Sequence, residues 1–200
     1  MLTTDMGKFN TMDDFKFDGK MVLVRIDINS PIVDGRVQVN ERIIQHALTL
    51  EEISNRYGKV VVLAHQGRPG RDDYMESMKQ HTEIMSEMVN IDYMDDKYGE
   101  NALKRMENLK KGQTLTRKKI RSLEEEFNPS PENKIVKNLS PFFDVFVNDA
   151  FSVSHRNQTS VVSFPQKMDS CMGRVMEREL KAISQLKQKN MTHILGGAKP

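Results

Sequence analysis

The sequence predicts an α/β fold, a three-layer Rossmann-like parallel sheet with helices on both faces. Short apolar runs rich in β-branched residues alternate with longer stretches of helical period, the pattern of parallel strands covered on both sides. The length of 200 residues fits one domain and part of another. With 38% apolar residues, the chain can bury a core of ordinary size.

Four runs are predicted to be buried strands, at residues 21–28, 59–64, 144–147 and 192–195. A fifth strand is predicted near residues 114–120, where hydrophobicity marks it only weakly. There is no internal repeat, and the segment NPSPEN at 128–133 is typical of a loop rather than of an interdomain linker.

Two helices are predicted between these strands. In residues 41–58, apolar side chains such as Ile43 and Leu50 recur every three or four positions, and Gly58 stands where a left-handed C-cap is expected. In residues 74–89, a stripe of methionines recurs at helical spacing. Such a stripe occurs in binding grooves, but core packing is its commoner meaning, and we expect core packing here.

Composition excludes several classes of protein. Thirty basic against 28 acidic residues leave a net charge of +2, which disfavours a dedicated nucleic-acid binder. The single cysteine, Cys171, cannot form an internal disulfide, and we expect it to be a structural or incidental thiol in a cytoplasmic protein. The first ten residues lack the features of a secretory signal, and the longest apolar run, 60–64, is too short to cross a membrane.

Polar side chains follow the predicted strands, at the edge of a parallel sheet where ligands bind. They include several cations, which together would form a pocket for a small polyanion such as a phosphate or carboxylate compound. Each residue alone has a plainer explanation as a surface ion pair, a turn cap or a core histidine. The residues are Asp27, Asn29, His65, Arg68, Asn148, Asp149, His155 and Arg156, with Arg42 after the first turn and Arg121 after the weakly marked strand.

Five segments sharpen this hypothesis: VRIDINSP (24–31), AHQGRPG (64–70), FDVFVNDAFSVSHR (143–156), GRVMEREL (173–180) and ILGGAKP (194–200). Together they closely resemble the phosphoglycerate kinase family, and INSP and HQGRPG resemble its archaeal branch. The resemblance runs in order over nearly the whole chain.

The resemblance implies a reaction, the reversible transfer of the γ-phosphoryl group of ATP to the carboxylate of 3-phosphoglycerate, with Mg²⁺ carried by the nucleotide (ATP or ADP). It implies that Arg42 and Lys199 balance charge on the transferring group, and that Lys199 also binds a nucleotide phosphate. The acceptor-binding residues that it implies are Asp27, Asn29, Arg42, His65, Arg68, Arg121 and Arg156. A carboxylate acceptor is already ionised at neutral pH, so no general base is needed.

The sequence departs from the family in two places. The family has two domains of similar size, whereas this sequence resembles only the first domain and the start of the second. We expect residues 1–170 to be the acceptor-binding domain, 171–190 an interdomain helix and 191–200 the first strand of a truncated nucleotide-binding domain. The segment TRKKI at 116–120 stands where the family has an apolar strand, and its three consecutive basic residues are hard to bury in a central strand. An edge strand, a local rearrangement and relaxed selection are the alternatives for this segment, which directly precedes Arg121.

Two functions of different classes follow. The chain is the acceptor-binding half of a kinase, inactive until a nucleotide-binding domain completes it, or it is a non-catalytic remnant that binds small phosphates. Nucleic-acid binding through residues 117–121 is disfavoured, because three glutamates follow directly. We expect no membrane partner.

Overall fold

The structure is a computed structural model that describes residues 9–67, 70–95, 100–117 and 124–185. Its strands are β1 (Met21–Arg25), β2 (Ile32–Val33), β3 (Arg36–Val37), β4 (Lys59–Leu63), β5 (Ile91–Met94), β6 (Thr114–Arg117), β7 (Val145–Asn148) and β8 (Asp169–Met172). Its α-helices are α1 (Glu41–Asn55), α2 (Lys79–Met85), α3 (Glu100–Glu107), α4 (Lys134–Leu139), α5 (Thr159–Val162) and α6 (Arg174–Gln185). Short 3₁₀ turns lie at Met12–Asp14, Glu124–Phe127, Ser140–Phe142, Phe151–Val153 and Phe164–Gln166.

Six strands form one parallel sheet in the order β5-β6-β4-β1-β7-β8, while β2 and β3 form a separate hairpin. Neighbouring residues of β1 point to opposite faces of the sheet. Val24 packs in a core with Ala47 and Leu50 of α1, whereas Leu23 packs in a second core with Ala102 of α3 and Leu139 of α4. Helices therefore cover both faces, and the predicted three-layer fold is confirmed.

The helix predicted from residue 41 is α1, and its ends show how the local sequence fixes it. The side chain of Asn40 accepts the backbone N–H of Ile43 at 3.2 Å, an N-cap. At the other end, Tyr57 and not Gly58 takes the left-handed conformation, with φ of 61°, so the predicted glycine C-cap is wrong by one residue. Gly58 is needed for a different reason, since a Cβ there would lie 2.7 Å from Cγ2 of Ile53.

Most of the predicted strands are present in the structure, and two further strands were not predicted. Three of the apolar runs are β1, β4 and β7, and the weakly marked strand is β6, which lies between β5 and β4 rather than at an edge. Its first three residues, Thr114, Leu115 and Thr116, are buried and carry no charge. The two edge strands, β5 and β8, were missed because each mixes polar and apolar residues. The run at 192–195 lies outside the described residues.

The helix predicted at 74–89 is shorter than expected, since α2 begins at Lys79 and the methionines Met75 and Met78 precede it. The Ser77 hydroxyl accepts the Lys79 backbone N–H at 3.1 Å and marks that start. Met78 and Met85 are fully buried, so the stripe packs in the core as expected. No helix in the described ranges is long and apolar enough to cross a bilayer.

Chain order in the sheet determines where a ligand can bind. From β1 the chain reaches β4, β5 and β6 on one side of β1, then crosses back to β7 and β8 on the other side. Strand order reverses beside β1, and ligands in open α/β sheets bind at such a point, beyond the carboxyl ends of the strands. The loops that leave β1, β4 and β7 meet there.

Candidate functional site

A cleft of about 580 Å³ lies beyond the carboxyl ends of β1, β4 and β7. Its lining is largely polar and comes from three loops and the first turn of α1. The lining residues are Asp27, Asn29, Arg42, His65, Gly67, Arg71, Asp72, Asp73, Ser152, Val153 and Arg156.

Asp27 is the buried anion of the cleft. Its Oδ2 accepts the Arg42 guanidinium at 2.9 Å and the Ser152 hydroxyl. Burial opposes ionisation of Asp27, but the Ser152 hydrogen bond and the charges of Arg25 and Arg42 outweigh it and lower its pKa. Asp27 is therefore ionised at neutral pH and holds the Arg42 guanidinium at the cleft.

Asn29 ties the loop after β1 to the loop after β4. Its backbone N–H donates to Oδ1 of Asp27 at 3.2 Å, and its Oδ1 accepts the backbone N–H of Gly67 at 2.7 Å. Gly67 has φ of +60°, and a Cβ there would lie 2.3 Å from the carbonyl oxygen of Asp73. Only glycine lets these backbones approach so closely.

His65 is oriented from behind by Arg25, the last residue of β1. The Nη2 atom of Arg25 lies 2.9 Å from Nδ1 of His65. Because a guanidinium only donates, Nδ1 accepts and the ring proton of His65 is on Nε2. Burial lowers the pKa of Arg25, while the carboxylates of Glu126 and Asp27 oppose that shift.

A buried polar chain continues behind Arg25. The Nε–H of Arg25 donates to the Ser160 hydroxyl at 3.1 Å, and that hydroxyl donates to Oε1 of Glu126 at 2.5 Å. Glu126 also accepts the backbone N–H of Ser160 at 3.0 Å. Arg25 lies in the predicted strand 21–28 and is not among the predicted site residues, although a charged residue that ends a buried strand is itself a signal of a site.

Two arginines offer cations to the cleft without local partners. Within the described ranges, the guanidinium groups of Arg71 and Arg156 form no hydrogen bond or ion pair, yet both line the cleft. Arg71 was not predicted, because it lies three residues beyond the arginine of the HQGRPG segment. Planar donors without a protein partner suit a phosphate or carboxylate ligand.

The structure brings together five of the residues predicted for the site: Asp27, Asn29, Arg42, His65 and Arg156. The other three, Arg68, Arg121 and Lys199, lie outside the described residues. Of the further strand-exit residues, Asp149 is fully buried behind the cleft, and Asn148 and His155 do not line it. Across the described ranges, no three His, Cys, Asp or Glu side chains converge as ligands for a metal ion.

Comparison with known proteins gives a consistent result. The sequence model of a family described as phosphoglycerate kinase matches residues 12–200. A phosphoglycerate kinase from Methanopyrus kandleri is 42% identical over 199 residues, which are 95% of this chain and 49% of that protein. One from Haloarcula vallismortis is also 42% identical, over 97% of this chain and 51% of that protein.

A solved structure agrees with the sequence matches. The crystal structure of phosphoglycerate kinase from Pyrococcus horikoshii superposes with a TM-score of 0.83 at 31% identity, and the match covers 91% of this chain and 46% of that one. The chain thus spans about half the length of the relatives that it matches.

Proposed function

Because the chain belongs to the phosphoglycerate kinase family, we propose that it is the acceptor-binding half of such an enzyme and that its cleft binds 3-phosphoglycerate. The observation that carries this proposal is the convergence of Arg42, His65 and Arg156, from distant stretches of sequence, on one cleft. The reaction is the reversible transfer of a phosphoryl group between ATP and the acceptor carboxylate.

The chemistry suits these side chains. Phosphoryl transfer depends mainly on positioning and on neutralising charge, and an ionised carboxylate needs no base to activate it. Arg42, fixed by Asp27 at 2.9 Å, is suited to balance charge at the transferring group. Arg156 and the Nε2–H of His65 are suited to hold the acceptor, and we assign the same role to Arg68 and Arg121 by family resemblance.

The nucleotide belongs to the other half of the enzyme. Within the described ranges no carboxylate cluster fits Mg²⁺. ATP or ADP with Mg²⁺ is expected on the nucleotide-binding domain, with Lys199 near its phosphates. We propose the same division as the sequence suggests, with acceptor binding in 1–170 and the start of the second domain at 191–200, although β8 (Asp169–Met172) crosses the first boundary.

Calorimetric titration of the chain with 3-phosphoglycerate tests the binding site. Arg156→Gln should weaken binding about 10- to 100-fold, because a charge-assisted hydrogen bond contributes about 1.5–3 kcal/mol. Arg36→Gln, an exposed arginine of β3 away from the cleft, is the matched control and should leave affinity unchanged. Equal affinity of all three proteins would contradict this site.

A coupled ATP assay tests the proposed reaction. The chain alone should show no turnover, and turnover should appear when a nucleotide-binding half is supplied, because closure of two domains aligns the groups and excludes water. Binding of 3-phosphoglycerate without restored turnover would instead favour the second candidate, a non-catalytic phosphate-binding module. The observation that favours this candidate is that the chain matches only about half the length of its relatives. We place the protein in the cytoplasm, in keeping with its lone buried cysteine.

A further inference from the structure

A chain of buried hydrogen bonds joins the floor of the cleft to the first turn of α6. The backbone N–H of Asp27 donates to Nε2 of His46 at 3.3 Å, and Nδ1 of His46 lies 2.8 Å from Oδ2 of Asp149. The other carboxylate oxygen of Asp149 accepts the backbone N–H groups of Val175 at 2.8 Å and Met176 at 3.2 Å. His46 is 3% exposed and Asp149 is fully buried, so water does not compete for these bonds.

These hydrogen bonds determine which ring nitrogen of His46 carries the proton. Because Nε2 of His46 accepts the N–H of Asp27, the ring proton is on Nδ1 and is donated to Asp149. The Asp149 carboxylate caps α6 from a distant segment, where a negative charge also interacts favourably with the helix dipole. Gly173 permits this approach, since a Cβ there would lie 2.3 Å from Oδ1 of Asp149.

Helix α1 contacts Asp27 in two ways. Arg42 holds the side chain of Asp27 at 2.9 Å, and His46, one turn later on the same helix, holds its backbone at 3.3 Å. The position of the cleft residues and the docking of α6 therefore depend on the same buried groups. If the first turn of α6 opens, Asp149 loses two N–H donors and the partner of His46 is disturbed.

We propose that His46 is a positioning residue that couples ligand occupancy of the cleft to the docking of α6. The inference rests on the proposed acceptor site. A ligand that binds only when Asp27 and Arg42 are in place stabilises every contact needed for that arrangement, and so it suppresses opening of α6. By reciprocity, loosening this docking weakens ligand binding by the same factor.

Hydrogen exchange of the chain with and without 3-phosphoglycerate tests the coupling. In the unmodified protein, saturating ligand at about 100 times Kd should slow exchange of the Val175 and Met176 amides by up to about 100-fold. His46→Leu should reduce this slowing to less than about 2-fold and weaken affinity about tenfold. Asp149→Asn is a second variant: in either orientation its amide NH₂ group faces a donor, the Nδ1–H of His46 or the N–H groups of α6, so it should likewise abolish the slowing.

Arg174→Met is the matched control. Arg174 holds α6 through Glu52, Asp13 and Glu177, at 2.6–3.1 Å, and takes no part in the bonds from Asp27 to Asp149. This variant should raise the exchange of α6 without ligand yet keep the ligand-dependent slowing. A merely structural role of His46 predicts the same behaviour for His46→Leu as for Arg174→Met.

The outcomes separate this inference from the proposed function. If 3-phosphoglycerate binds but exchange of α6 does not change, or if both the His46 and the Asp149 variants keep the slowing, the coupling is wrong and the acceptor site stands. If calorimetry finds no binding to the unmodified protein, the proposed acceptor site fails, and the coupling fails with it.

Discussion

At the residue scale, charged side chains are buried behind the cleft only where other polar groups surround them. Arg25 and Asp27 are both 3% exposed. Arg25 contacts His65 and Ser160, with the Glu126 carboxylate beyond, while Asp27 contacts Arg42 and Ser152. Because the desolvation cost of each ion is offset by its neighbours, removal of one member should expose that cost.

Replacement of Arg25 tests this balance. Arg25→Met removes a buried charge that interacts with the Glu126 carboxylate and should lower the free energy of unfolding by about 3 kcal/mol. It should also weaken 3-phosphoglycerate binding, because the Nδ1 of His65 loses its donor. Denaturant unfolding and calorimetry measure the two effects. The exposed Arg36→Met should change stability by less than about 0.5 kcal/mol, and an equal loss in both variants would contradict this account.

His81 makes stability dependent on pH. It is fully buried, and burial lowers its pKa to about 4, so the folded protein binds its proton less readily than the unfolded chain does. Its contribution is complete above the unfolded pKa of about 6.5 and is lost as pH falls from there toward 4. The loss should be about 2 kcal/mol at pH 5 relative to pH 8.

Unfolding of His81→Gln between pH 5 and pH 8 isolates that contribution, because glutamine does not titrate. The variant should lose less stability on acidification than the unmodified protein. Equal pH dependence of the two proteins would show that other groups, such as carboxylates, cause all of it.

The single thiol is expected to be inert. Burial raises the pKa of Cys171 to about 12, so almost no thiolate forms at neutral pH. The folded protein should therefore react with iodoacetamide at pH 8 far more slowly than the denatured protein, as mass spectrometry can measure. Rapid labelling of the folded protein would contradict a structural role.

At the scale of elements, the end of α1 shows how local sequence and tertiary contact share control. The N–H of Tyr57 bonds to the carbonyl of Ser54 at 2.9 Å and the N–H of Gly58 to that of Ile53 at 3.0 Å, a Schellman motif. The sequence predicts glycine at the left-handed position of that motif, but the close approach to Ile53 requires glycine one residue later. Tyr57 therefore takes the left-handed conformation at an energetic cost.

Tyr57→Gly should relieve that strain. The side chain is 62% exposed, so its removal loses little packing. The variant should gain about 0.5–1 kcal/mol, the strain relieved less the added entropy of the unfolded chain. Gly58→Ala, in contrast, should destabilise the protein because of contact with Ile53. Thermal unfolding measures both variants, and a destabilised Tyr57→Gly would contradict the strain argument.

At the scale of the whole molecule, two cores on opposite faces of one sheet stabilise the fold. Leu23→Ala and Val24→Ala should each lower stability, by about 3 and about 2 kcal/mol, because each removes methyl groups from a fully buried position. Leu48→Ala, on a 44% exposed side chain, is the control and should cost far less. A near-neutral effect at either strand residue would show that helices cover only one face.

Much of this architecture could be predicted from the sequence. The central strands β1, β4 and β7 are apolar on both faces, so their runs are unmistakable, and α1 shows its period and its Asn40 cap. Strands β5 and β8 could not be predicted because edge strands bury less and admit polar residues. The role of Arg25 could not be predicted either, because it lies within an apolar run and only its tertiary partners, Ser160 and His65, explain its burial.

The sequence by itself determined the fold class, the family and most of the polar residues of the candidate cleft. These depend on local period and on motifs, which are properties of neighbouring residues. Only the tertiary structure decided that Arg42, His65 and Arg156 share one cleft, that Arg71 joins them, and that His46 connects Asp27 to α6. The physical reason is that these contacts join segments far apart in the chain, and strand order brings them together.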